Sequence, residues 1–354
     1  MRVILSGALF TSREVRTSDL AALIGAAVRG RHVVEVESEP ALKDWLAARD
    51  AAMRCSLQED LGRAERLAGD ELPGGFTVRV DVTRVDQWEP PDLRLALEDA
   101  IRLLSEPLGL LVENNPNDLH FLLRLFPDNL RTLLAEGVED GWVAPLHGGG
   151  GTIHDQMKLR AERRRQRVRT FVMFDSDRLH REELSEDWLN TLPGSACAGD
   201  AGCGAYEWEQ TARRLYPKQY HRLSRRYIES YLPLHQLESW CTRDEDHDRR
   251  PVNDRVARQR AFEVFKTLSD DQRWFFNMKG GLQGDHGGKN AAKGRARQRG
   301  LYDDVNDAQR AHLQNGFGRL GVWYDREINP AAFSWDPDAI AEGAIIAALL
   351  LQMM

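Results

Sequence analysis

Cysteine is scarce in this chain, with four among 354 residues. So few thiols cannot build the disulfide framework of a small secreted domain, and a reducing cytoplasm is the expected compartment. Long apolar runs are missing too. The longest, residues 344–351, covers eight positions, far short of the ~20 that a bilayer span needs. With a mean hydropathy of −0.51 this argues against a membrane protein, and the run reads instead as a final packing helix. Residues 1–10 carry one basic side chain and no small-residue cleavage pattern before Arg13, so export is not expected. No repeat of solenoid length is present, and no Gly-rich sequence ends in Gly-Lys-Ser/Thr, which removes a P-loop ATPase.

What is present describes a globular protein of two domains, or one enlarged domain, with 42% hydrophobic and 29% charged residues. Lysine and arginine number 48 against 55 acids, a formal charge of −7. Local charge matters more than the total for a polyanion partner. Residues 158–169 hold seven cations and one anion, and residues 279–300 hold six cations and one anion among seven glycines. Arg163 and Arg164 in the first segment, and Lys289, Lys293 and Arg295 in the second, are the candidate nucleic-acid contacts; a solvated helix face and a surface loop explain the same charges.

From residue 107 onward, apolar runs alternate with helical periodicity. Strands are predicted over residues 108–112, 142–146, 170–174 and 220–223, with helices over 118–126, 153–168, 181–192 and 225–231. This β-α-β succession predicts a mainly parallel sheet whose ligand chemistry gathers beyond the carboxyl ends of the strands. Residues 1–105 read as a separate α/β region with strands at 33–36 and 77–82 and helices at 41–68 and 92–104. Residues 106–245 form the predicted catalytic domain, and residues 246–354 a mostly helical extension carrying the basic Gly-rich loop.

Two predicted strands deliver acids at the required end, Leu-Leu-Val-Glu113 and Met-Phe-Asp175-Ser-Asp177. The i, i+2 spacing of Asp175 and Asp177 lets both address one hard cation. Between them, His147 precedes Gly148, Gly149, Gly150 and Gly151, a run suited to a tight turn or a close approach of main chain to phosphate. His147 and His154 flank that turn and are left outside the metal shell. Cys197, Cys203, Cys241 and His247 have gaps too long for a zinc knuckle. Trp208, Tyr206, Tyr216 and Tyr220 interleave with Arg213, Arg214 and Lys218, a composition that fits either base stacking or a helix that buries its aromatics.

With these motifs the sequence resembles the TOPRIM catalytic domain of OLD-family nucleases and related stand-alone bacterial defence proteins. Glu113, the glycine turn, the Asp175-Ser176-Asp177 motif and the segment Arg225 to Leu232, with Glu229 before a Tyr-Leu pair, carry the resemblance over residues 105–235. Two departures stand out: Asn114 replaces the family's glycine, and Asp118 sits one position later than the usual acid. The resemblance implies a TOPRIM-like, Rossmann-like α/β sheet and Mg²⁺- or Mn²⁺-dependent hydrolysis of phosphodiesters, in DNA before RNA. Glu113, Asp175 and Asp177 would hold the metal, with Asp118 and Glu229 as further ligands and Lys279 stabilising charge at phosphate. It further implies an antiphage effector regulated by an ATPase on another chain, with homo-oligomerisation open. A haloacid-dehalogenase-like phosphatase using Asp175 as nucleophile, and a catalytically inactive subunit that binds nucleic acid or a partner, are the competing readings.

Overall fold

The structure is a computed structural model that describes residues 1–67, 75–82, 86–185, 204–242, 253–286, 297–318, 320–326, 333 and 336–354. It is an α/β architecture with two four-stranded sheets, both wholly parallel and flanked by helices, as in a Rossmann-like fold. The first sheet contains β1 (Arg2–Leu5), β2 (Val33–Val36), β3 (Thr77–Asp81) and β4 (Asp92–Ala96) in the order β2-β1-β3-β4. The second contains β5 (Leu108–Val112), β6 (Val143–His147), β7 (Thr170–Phe174) and β8 (Tyr220–Arg222) in the order β6-β5-β7-β8. The chain therefore winds the same order twice.

Strands β5 and β7 are buried along their whole length, which explains their nearly unbroken apolar sequences. Their side chains alternate between two faces. Leu110, Val112, Phe171 and Met173 join a core with Leu119 and Leu122 of helix Asn117–Leu125 and Leu134 of helix Asp128–Glu139. Leu111, Val172 and Phe174 instead pack with Ile153 and Met157 of helix Ile153–Ala161, and with Ala212 and Tyr216 of helix Gly204–Leu215. The β5-to-β6 crossover thus covers one face and the β6-to-β7 crossover the other. The winding reverses between β5 and β7, where diverging connections leave a crevice at the carboxyl ends.

A third cluster holds the C-terminal extension together around Phe262, Phe265, Phe276 and Phe317, with edge-on contacts from Phe265 to both Phe276 and Phe317. The final helix, Pro337–Met353, sends Ile346 and Leu350 into the main core, as its apolar run predicts. Among the described residues no helix is long and apolar enough to cross a membrane.

Several predicted elements need correction. The helix expected over residues 92–104 begins as β4, because Leu93 and Leu95 alternate inward against β3; only Leu97–Leu104 is helical. The N-terminal helix expected over 41–68 is two helices, Glu39–Ala47 and Ala51–Leu67, and that over 153–168 is also two, Ile153–Ala161 and Arg164–Val168. Only a 3-10 turn, Arg181–Leu184, stands where the helix over 181–192 is expected, and its second half lies outside the described residues. The segment over 225–231 likewise contains a 3-10 turn, Ile228–Tyr231. The sequence reading also misses β1 and the helix Asp128–Glu139.

Candidate active site

Glu113 follows β5 directly and Asp175 follows β7 directly, so parallel pairing places both at the reversal point of the sheet. They are in contact: the backbone N–H of Asp175 donates to Glu113 Oε1 at 2.7 Å. Asp175 Oδ1 in turn accepts the N–H of Ile228 at 3.2 Å, which draws the turn bearing Glu229 to the same rim. Asp177 has φ of 50°, a left-handed conformation that Asp tolerates better than most residues. Its N–H donates to the Arg226 carbonyl at 3.2 Å.

Asp118 performs a local task as well. Its Oδ2 accepts the Asn114 N–H at 2.8 Å and locks the turn after Glu113, the turn in which Asn114 stands where the resemblance expects a glycine. Asn114 does so without a left-handed backbone, since it is not among the positive-φ residues. On the far side of β5, Gly148 donates to the Val112 carbonyl at 2.6 Å and Gly149 to the Glu113 carbonyl at 3.0 Å. Gly149 has φ of 68°, which accounts for at least one glycine in the run.

Lys279 arrives from the C-terminal extension. Its Nζ stands 3.5 Å from Glu229 Oε1 and 4.9 Å from the centre of the Tyr227 ring. Arg226 packs against the same ring at 4.9 Å and is fixed by a buried two-pronged pair with Asp285, both bonds 2.7 Å. Sequence reasoning overlooks Tyr227 and this bracing, because the partners lie far apart in the chain and only the motif letters are visible. Glu229 also lines a cleft of about 440 Å³ with Arg225, Phe265, Trp274 and Met278.

The electrostatics tie the acids into one group. Desolvation raises Glu113 well above the ordinary carboxylate range, and the charges of Asp177 and Asp118 push it further. Asp175 is raised for the same reason, burial first and then repulsion from Glu113 and Asp118. Burial is also the main cause that pushes Asp118 up to about 7, with Glu229 adding repulsion. For Lys279, burial pulls the ammonium down, but Glu229, Asp175 and Glu113 outweigh it and hold it above its usual value.

Among the described residues, no three acidic, histidine or cysteine side chains form a ready-made metal cage. The donor set nonetheless suits a hard cation: every candidate ligand is a carboxylate, the group is crowded enough to repel itself, and Glu229 Oε2 is buried without a hydrogen-bond partner among the described residues.

The first basic segment does not join this rim. Arg163 and Arg164 precede β7, at its amino end, and a five-residue strand separates that end from Asp175 by roughly 16 Å. The remainder of that basic run is partly internal: Arg169 is buried, donating to the Glu106 carbonyl at 3.1 Å, and Arg160 donates to Thr170 Oγ1 at 2.8 Å. Lys289, Lys293 and Arg295 lie outside the described residues, as do Cys197, Cys203 and His247. Cys241 is a free, buried thiol that burial pushes up to about 12. Three of the four aromatics pack inward: Tyr216 is buried with its hydroxyl on the Met157 carbonyl, while Trp208 and Tyr220 pack on Phe174.

No protein-family profile matches the chain, and no curated protein or solved structure matches it either.

Proposed function

We propose that this chain is a metal-dependent nuclease of TOPRIM type, hydrolysing phosphodiester bonds in DNA before RNA. The contact between Glu113 and Asp175 is the observation that carries the reading, because it brings remote acids together where the sheet reverses. Glu113, Asp175 and Asp177 would hold Mg²⁺ or Mn²⁺, with Asp118 and Glu229 completing the acidic wall. When bound, such an ion neutralises phosphate charge and makes water more acidic.

The chain's own residues supply the rest. Asp175 and Glu113 are positioned by main-chain hydrogen bonds rather than by flexible side-chain partners, which reduces reorganisation during reaction. Lys279 offers a fixed positive charge beside the acids, where a phosphate oxygen gaining charge needs compensation. The resemblance extends the proposal to a toxic antiphage effector regulated by a partner ATPase.

The test is incubation of the purified protein with plasmid, single-stranded DNA and tRNA, with Mg²⁺, Mn²⁺ or chelator. Chelator-sensitive strand cleavage is expected, reduced about a hundredfold or more in Glu113→Gln and Asp175→Asn. Undiminished cleavage by both variants rejects the site.

A further inference from the structure

We propose that His147 contacts the substrate's phosphate as a neutral hydrogen-bond donor through Nε2, a role that rests on the nuclease reading above. His147 ends β6 and pairs in register with Val112, the residue before Glu113. It therefore stands about one strand spacing, ~4.8 Å, from the strand that delivers Glu113. The backbone N–H of Asn115 reaches back to His147 Nδ1 at 3.2 Å, so the ring is tied to the loop that carries the acid.

That bond fixes the ring's chemistry. A backbone N–H can only donate, so Nδ1 must accept, and the neutral imidazole carries its proton on Nε2. Nε2 has no hydrogen-bond partner among the described residues, and the side chain is exposed. A Cβ at Gly149 would stand 3.8 Å from Nε2 and 2.6 Å from Thr152 Oγ1, so the ring edge and the Thr152 hydroxyl both border the glycine turn.

Position explains the need. The acidic wall repels a phosphate, so substrate binding requires donors beside it. Lys279 meets Glu229 beyond β8; His147 occupies the β6 side, where no other side chain has been assigned. His154, at the other end of the glycine turn, differs because its Nε2 is engaged with Thr211 Oγ1 at 2.8 Å.

Two substitutions separate a phosphate contact from a structural one. His147→Asn keeps an acceptor near the Nδ1 position but has nothing at Nε2, whereas His147→Gln places an amide N–H near Nε2 and gives up the local acceptor. The readout is binding of a fluorescein-labelled oligothymidine by anisotropy with millimolar Ca²⁺, beside thermal melting of each variant. His147→Asn is expected to bind about tenfold to a hundredfold more weakly, the range for a hydrogen bond to a charged group, with melting unchanged. His147→Gln is expected to stay within about threefold of the parent. The reverse ranking, equal behaviour of the two variants, or no binding by the parent overturns the proposal. Absence of Mg²⁺-dependent cleavage by the parent instead rejects the nuclease reading, cleavage that survives in both Glu113→Gln and Asp175→Asn rejects the acidic site, and either leaves the binding ranking to decide the imidazole contact separately.

Discussion

Lys279 Nζ stands 3.5 Å from Glu229 Oε1, joining the C-terminal extension to the rim of the second sheet. Half of the lysine side chain is exposed while the glutamate is buried at 4%, so the ammonium faces both solvent and the acids. Replacing it by Met removes the charge but little packing. Lys279→Met is expected to lower the cleavage rate about a hundredfold while shifting the melting temperature by no more than a degree or two. Single-turnover rates and thermal melts check the two halves of that statement.

The acids make the chelated protein sensitive to alkali. Asp118 has its folded pKa raised from 3.8 to about 7, chiefly by burial, so the folded state holds its proton more tightly than the unfolded state does. The associated stability is complete below about pH 4 and is lost as pH rises through about 7. Glu113 and Asp175 shift in the same direction. Urea melts in EDTA are expected to show stability from this cluster declining between those pH values, and Asp118→Asn should flatten the decline. A decline of equal slope in the variant would assign it to other groups.

The loop that holds Lys279 depends on a close backbone approach. A Cβ on Gly316 would come within 2.4 Å of the Met278 carbonyl oxygen and 2.7 Å of the Gly281 nitrogen, while Phe317 N–H donates to that same carbonyl at 2.6 Å. The main chain on both sides must move to admit one methyl group. Gly316→Ala is expected to cost about 1–3 kcal/mol of stability, as overpacking does, and to reduce cleavage by displacing Lys279. Chemical denaturation measures the first effect, and recovery of activity on restoring glycine measures the second.

Glu342 anchors the last helix to the site. It accepts hydrogen bonds from the Tyr231 hydroxyl, from the Ser224 N–H at 2.7 Å and from His221 Nε2 at 2.7 Å. Burial would raise its carboxyl, but bonding to His221, then Tyr231 and Ser224, outweighs this and lowers it. Glu342→Ala is expected to destabilise by about 3 kcal/mol, since it strands buried Tyr231 and two half-buried partners, whereas Tyr231→Phe should lose only about 1 kcal/mol. Because the folded carboxyl is the stronger acid, its contribution is present above about pH 4.5 and disappears as pH falls through the lowered folded value. Urea titrations of the two variants at neutral pH and at acid pH check both points.

Much of the second sheet was legible because each of β5 and β7 is covered on both faces, leaving continuous apolar runs that end in acids. Glu113 and Asp175 could be paired in advance because parallel strands align their ends, and the structure puts them in contact. β4 was not legible: Asp92–Ala96 carries two leucines at period two, and the helix that follows at once masks the change of period. The arginines at 163 and 164 were read as nucleic-acid contacts from charge alone, and strand direction sets them at the amino end of β7, away from the acids. Tyr227 and Gly316 escaped because their roles arise from contacts between distant segments, and spacing along the chain does not encode these.

In the first sheet, as in the second, the residue after the central strand meets an acid beside it. There, Ser6 follows β1 and its hydroxyl donates to Asp81 Oδ1 at 3.2 Å, where the second sheet sets Glu113 against Asp175. One molecule thus contains a quiet copy of the same crossing, with a hydroxyl and a single carboxylate in place of crowded anions. Melting comparisons of Ser6→Glu with Glu113→Ser would weigh the burden of concentrated negative charge on two matched frames, using each half as the reference for the other.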